Sequence, residues 1–161
     1  MALPEYAELH CLSNFSFLRG ASQPEELVER ACALGYSALA LTDEASMAGA
    51  VRAHLAAKKH GLKLILGAEF TTSDGLKLVI LAENREGYGN LSALISLTRR
   101  RSEKGHYRLQ RHDLNIISPR GALPDCSVLW VPGSQASAAD GRWLAERFPQ
   151  RLWLALELHA G

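Results

Sequence analysis

Apolar and polar positions alternate along this chain with two different periods, and the switches between them mark out the elements. Tyr6 to Leu12 alternates with the short period of a strand. A polar, glycine-containing stretch follows, and Glu25 to Leu34 then reads as an amphipathic helix with Leu27, Val28, Ala31 and Leu34 on one face. Ser22 is placed to cap it, with Glu25 reaching back and Pro24 in the first turn. Gly35 is its expected stop. The run Ala38 to Leu41 is apolar throughout, as in a strand buried on both faces of a parallel sheet. Ser46 is the expected cap of a helix from Met47 to His60, which Gly61 ends. Leu62 to Leu66 predicts a third strand.

The rhythm then changes. Ser73-Asp74-Gly75 is a turn signal between Phe70-Thr71-Thr72 and Leu76 to Leu81, which predicts a hairpin. Asn84 to Asn90 reads as a polar loop, and Leu91 to about Arg101 as a helix. Ser102 to Ala122 is irregular, with Pro119 and Gly121 as breakers. Val128 to Val131 predicts another buried strand, Ala138 to Phe148 a helix with Trp143, Leu144 and Phe148 on one side, and Arg151 to Leu158 a last strand. Repeated alternation of strand and helix predicts an α/β domain with a largely parallel sheet over residues 1–161.

Composition narrows the partners. The chain is 47% hydrophobic and 22% charged with a net charge of +1, so any nucleic-acid contact must come from a local patch. Arg99, Arg100, Arg101, Lys104, Arg108 and Arg111 form the one candidate, interrupted by Glu103 and Asp113. The same residues also suit a solvated helix end, with cations favoured there by the helix dipole. Cys11, Cys32 and Cys126 are scattered and odd in number, which predicts a reducing, cytoplasmic setting and no structural zinc. No apolar run is long enough to cross a bilayer, so no membrane partner is expected. Asn84 to Asn90 lacks the lysine and spacing of a phosphate-binding loop. Cys11 has no evident base beside it.

The stretch His10-Cys11-Leu12-Ser13-Asn14-Phe15-Ser16-Phe17, followed by Arg19-Gly20-Ala21-Ser22, carries a family resemblance. So do Leu41-Thr42-Asp43-Glu44, Gly67-Ala68-Glu69-Phe70 and Asn84 to Tyr88. Together they resemble the PHP (polymerase and histidinol phosphatase) family, and within it the N-terminal PHP domain of the error-prone, translesion branch of bacterial C-family DNA polymerases. The resemblance implies a distorted (β/α) barrel. Such barrels typically need about 250 residues, so this chain is expected to be the first part of one, followed in the parent protein by polymerase domains.

The family resemblance also implies a site. PHP enzymes bind up to three metal ions at the mouth of the barrel and hydrolyse phosphoesters with a metal-bound hydroxide. Here His10 matches the first histidine of the opening motif, and Leu12 stands at the second. Arg19 stands where many members have an aspartate, and Glu44 where they have a histidine. Glu69 matches a carboxylate, and Lys77 stands about where relatives carry a further histidine. As bare residues, His10 suits a hydrogen-bonded structural histidine, Asp43 a turn or helix cap, and Glu69 a solvated carboxylate.

Two ligand positions are thus kept, one exchanged and three lost. The expectation is a scaffold domain with no metal of its own, in which Arg19 or Lys77 pairs with Glu44 or Glu69. The rival is an active phosphoesterase or proofreading exonuclease in which His10, Glu44 and Glu69 hold zinc or manganese. A third reading is a stand-alone interaction module. The family implies magnesium for the parent polymerase. As partners it implies the rest of that chain, DNA, a sliding clamp and translesion accessory proteins.

Overall fold

The computed structural model describes residues 5–116 and 121–157. Pro119 and the stretch from Leu158 to Gly161 lie outside the described residues. The chain divides into two compact units, 1–68 and 69–161.

In the first unit, β1 (Ala7–Cys11) pairs in parallel with β2 (Ala38–Leu41), and β2 in parallel with β3 (Lys63–Thr71). All four β2 side chains are buried, as its unbroken apolar run requires. The helices α1 (Pro24–Ala33) and α2 (Ala50–His60) supply Val28, Ala31, Ala53, Ala56 and Ala57 to a core with Leu39 and Leu41. The small alanines on α2 leave little bulk between the helices, so they pack closely, and these two elements share the largest helical contact of the unit.

Two helix starts differ from the sequence reading. The cap of α1 is Gln23, whose backbone N–H donates to the Glu26 carboxylate at 2.7 Å. Pro24 therefore occupies the first helical position, where its missing N–H costs nothing. Glu25 is drawn instead to Arg52 of α2. Helix α2 begins at Ala50, not Met47, because the Ser46 hydroxyl closes a local turn by accepting from the Ala48 N–H at 3.1 Å. Gly61 ends α2 in the left-handed conformation, as expected.

In the second unit, the turn from Thr72 to Leu76 joins β3 to β4 (Lys77–Ala82), closed by the Thr72 N–H donating to the Leu76 carbonyl at 2.8 Å. The strand β5 (Cys126–Val131) pairs antiparallel with β4 along its whole length, from Lys77 opposite Val131 to Ala82 opposite Cys126. Its burial was expected from its apolar run, while its direction follows from the connection. The long connection holding α3 (Arg85–Arg100) and the short α4 (Asp113–Ile116) returns the chain to the end of β4 at which it left, so β5 must run the other way.

Helix α3 starts six residues earlier than predicted. Asn84 caps it, its side-chain oxygen accepting from the Glu86 and Gly87 N–H groups at 2.9 and 3.0 Å. The glycines that suggested a loop lie inside the helix. Gly87 is there for space: a Cβ would sit 1.9 Å from the Asp125 carbonyl oxygen.

Helix α5 (Ala138–Arg147) is capped by Ser137 and buries Leu144, with Phe148 buried just beyond it. Trp143 stays half-exposed between the guanidinium groups of Arg111 and Arg147. The last strand, β6 (Leu152–Leu154), is shorter than the predicted Arg151 to Leu158 and pairs in parallel with β5. Arg151 precedes it and donates to the carbonyls of Leu123, Cys126 and Ala122 at 2.6, 2.8 and 2.9 Å. Those bonds hold a turn in which Leu123 and Asp125 both take left-handed backbone conformations.

Candidate functional site

In the first unit the loop between β1 and α1 folds onto the end of β2. Asp43 follows β2 and is buried. Its carboxylate accepts from the Ser13 N–H, the Ser13 hydroxyl and the Ser16 hydroxyl, each at 2.7 Å. The Ser16 oxygen in turn accepts from the Glu44 N–H at 3.0 Å. Asp43 was read as a turn or helix cap; it is instead the anchor of a loop about thirty positions earlier in the chain. The bonds of Ser13 and Ser16 to Asp43 were not expected, although the spacing of the two serines on either side of Asn14 and Phe15 puts both hydroxyls on one side of a tight turn.

His10 lies half-buried near the end of β1, its backbone N–H donating to Glu8 at 2.9 Å. Leu12 is half-buried beyond it. Arg19 reaches Glu44, with Nη1 3.0 Å from Oε2. The two side chains are 35% and 33% exposed, so this pair is well solvated.

In the second unit, Glu69 stands in β3 with 1% of its side chain exposed. The Lys77 ammonium, at the start of β4, lies 3.4 Å from its Oε2. The hairpin turn brings the two together: leaving β3 and re-entering at β4 returns position 77 beside position 69. One ion pair of Arg19 or Lys77 with Glu44 or Glu69 was expected; each of the two cations forms one, Arg19 with Glu44 and Lys77 with Glu69.

Of the positions that the resemblance marks as metal ligands, three carry side chains with no lone pair to offer a divalent cation. Leu12 has no donor atom. Arg19 and Lys77 are cations without a lone pair, and each faces one of the two carboxylates. Among the described residues no group of three or more His, Cys, Asp and Glu side chains is arranged to hold a metal ion.

The basic stretch at the end of α3 is largely committed to internal contacts. Arg101 holds both oxygens of buried Asp113 at 2.9 Å. Arg111 bridges Asp74 and Asp140. Arg99 donates to the Gly105 carbonyl at 3.2 Å and lies over the Tyr107 ring. Arg100, Lys104 and Arg108 are exposed. A shallow cleft lined by Arg101, Ser102, Glu103, His106, Tyr107 and Arg108 lies alongside. These arginines were read as one patch; the aspartates that absorb Arg101 and Arg111 come from other turns and helices, and only Asp113 was in view from the sequence.

The thiols are poorly disposed to react. Burial pushes the Cys11 thiol up to about 11, with Glu8 and Asp43 adding to it. Burial likewise pushes Cys126 up to about 12, against a smaller opposing pull from Arg151.

Comparison with known proteins adds the following. The sequence pattern of the PHP domain matches residues 8–123. An error-prone DNA polymerase of Dechloromonas aromatica (strain RCB) is 74% identical over all of this chain, which covers 16% of that protein. One from Azoarcus sp. (strain BH72) is 58% identical over all of the chain, covering 18%. One from Pseudomonas aeruginosa is 54% identical over 97% of it, covering 14%. The chain thus spans less than a fifth of the length of these relatives.

Among solved structures, a protein from Bifidobacterium adolescentis, classed by its description as a metal-dependent phosphoesterase, matches with a TM-score of 0.51 and 29% identity. The match covers 60% of this chain and 34% of that one. An amidohydrolase from Chromobacterium violaceum, with bound sulfate and no metal, matches with a TM-score of 0.50 and 30% identity over 58% of this chain and 33% of its own.

Proposed function

The chain belongs to the PHP domain family, with the α/β fold of that family, and on that premise we propose that it is the PHP domain of an error-prone DNA polymerase, serving as a scaffold in place of a metal-dependent hydrolase. One observation carries the reading: a lysine ammonium stands 3.4 Å from the buried Glu69 carboxylate, at a position the family resemblance assigns to a ligand. A fixed side-chain cation balances that carboxylate without a metal ion. The Arg19–Glu44 pair repeats the substitution at the solvated edge of the first unit.

In this reading the domain spans residues 1–161 and works in the cytoplasm as part of a longer chain. Magnesium-dependent nucleotidyl transfer across damaged templates, and contact with a sliding clamp and translesion accessory proteins, belong to that chain. DNA contact through this domain falls to Arg100, Lys104 and Arg108, since Arg101 and Arg111 are tied to aspartates.

The rival reading, an active phosphoesterase or exonuclease, draws on the Bifidobacterium structure. Metal analysis of the purified polymerase separates the two. The scaffold reading expects zinc and manganese well below one per chain and no metal-dependent phosphoesterase activity. Stoichiometric metal, with phosphoesterase activity abolished by His10→Ala, overturns it.

A further inference from the structure

The loop from Ser13 to Gly20 is patterned inside out. Its hydroxyls, Ser13 and Ser16, are buried on Asp43, while Phe17 and Leu18 are 84% and 89% exposed. A loop normally turns such side chains inward and leaves serines to water, so the combination of buried polar and exposed large apolar groups is the informative one.

The loop is also held firmly. The Asn14 N–H donates to the Ser22 carbonyl at 2.8 Å, and the Arg19 and Gly20 N–H groups both donate to the Ser16 carbonyl at 3.0 and 2.9 Å. Gly20 packs so tightly that a Cβ would fall 1.9 Å from the Ser13 carbonyl oxygen. At the tip Leu18 takes φ = 62°, a left-handed conformation that a residue with a Cβ adopts only under strain. Strain and buried polar bonds are thus spent on presenting two apolar side chains to the outside.

We propose that the Phe17–Leu18 tip docks into an apolar recess elsewhere in the longer polymerase chain, outside residues 1–161. The proposal rests on the reading of this chain as a polymerase domain. The length of the relatives favours that occupant. This chain covers 16% of the Dechloromonas protein, so most of the polypeptide lies outside the matched stretch. A segment tethered in the same chain meets the tip at an effective concentration that a second copy does not match. A pre-ordered tip also pays little entropy on docking. Single-stranded DNA fits less well. Leu18 offers no ring for a base to stack on, and the neighbouring cation, Arg19, is engaged by Glu44.

The test uses the full-length polymerase with a benzophenone amino acid, Phe17→p-benzoylphenylalanine, irradiated and mapped by mass spectrometry. The expected result is an intramolecular cross-link to one segment outside residues 1–161, its yield falling about tenfold or more with Leu18→Asp, as for loss of an interface anchor. Cross-links between copies, cross-links only to added single-stranded DNA, or products confined to residues 1–161 each overturn the proposal. Primer extension by the unmodified protein is measured in parallel. Its absence sinks the polymerase reading while the cross-link map still decides whether the tip is docked.

Discussion

The Lys77 ammonium lies 3.4 Å from the Glu69 carboxylate, and only 1% of the Glu69 side chain is exposed. The lysine itself is 30% exposed, so its own desolvation is partial while that of the glutamate is nearly complete. Lys77→Met therefore leaves a charged carboxylate buried beside an apolar group. The expected loss is about 3 kcal/mol, at the low end for a broken buried pair because water reaches the lysine. Urea unfolding at neutral pH measures it. Lys77→Arg should recover most of the stability. If Lys77→Met is as stable as the parent, the lysine is not balancing Glu69.

The Arg19–Glu44 pair behaves differently. Both partners are about one-third exposed, so losing Arg19 should not cost what losing one partner of a buried pair does. Arg19→Ala is expected to cost about 0.2–1 kcal/mol, with the difference shrinking in high salt. A salt-independent loss several times larger would place the arginine in a drier setting than this geometry gives.

Asp43→Ala orphans two hydroxyls and a backbone N–H in the interior. The expected cost is about 3 kcal/mol or more. Hydrogen exchange should accelerate first at the amides of residues 13–20, because the loop they form is fastened there. Uniform acceleration across the first unit, with no excess in that loop, would contradict the anchoring role.

Two glycines of α3 should respond in opposite directions. Gly89 has open space where a Cβ would go, so Gly89→Ala should stabilise by about 0.5–1 kcal/mol through helix propensity. Gly87→Ala drives a Cβ into the Asp125 carbonyl and should destabilise by roughly 2 kcal/mol or more. Thermal unfolding of the two variants side by side gives the sign of each, and matching signs would refute the packing account of Gly87.

The Arg111 bridge predicts an acid-sensitive contribution. Burial pushes the Asp74 carboxyl up, but the Thr72 hydroxyl and the Arg111 guanidinium outweigh it and hold it below the ordinary 3.8. Arg111, followed by Ser137, holds Asp140 below the same value. A carboxyl depressed in the folded state contributes stability that is complete above its unfolded pKa and is lost as pH falls below it. Stability should therefore decline below about pH 4, and Arg111→Met should flatten that decline. An unchanged acid limb in the variant would assign the loss to other groups.

The parts legible in the sequence were those governed by a single local cause. Ala38 to Leu41 is apolar throughout and is a strand with those bounds. Gly61 ends a helix because only its own φ matters there. The start of α3 was missed because Gly87 looked like a breaker, and the reason it is a glycine, the Asp125 carbonyl, lies 38 residues further along. The two ion pairs could be anticipated from sign and position, but not which was buried, since exposure depends on neighbours that pairing does not name. The Ser13–Ser16–Asp43 anchor was invisible for a similar reason: two serines in a polar loop look solvated until the aspartate 27 to 30 positions later folds over them.

Arg151 ties the carbonyls of Ala122, Leu123 and Cys126 together from 25 to 29 residues downstream. The turn it holds contains two residues in left-handed conformations that have no glycine to make them easy. That turn gains its support only after a loop of this length has closed, and loop closure must be paid before the contact returns anything. In synthesis from the N-terminus, the first strand and its two helices can collapse on emergence, while the turn before β5 waits for Arg151 to leave the ribosome. The support of the turn before β5 thus comes late in the order of events: Arg151→Met should speed unfolding of the second unit more than it slows refolding, which a chevron plot resolves.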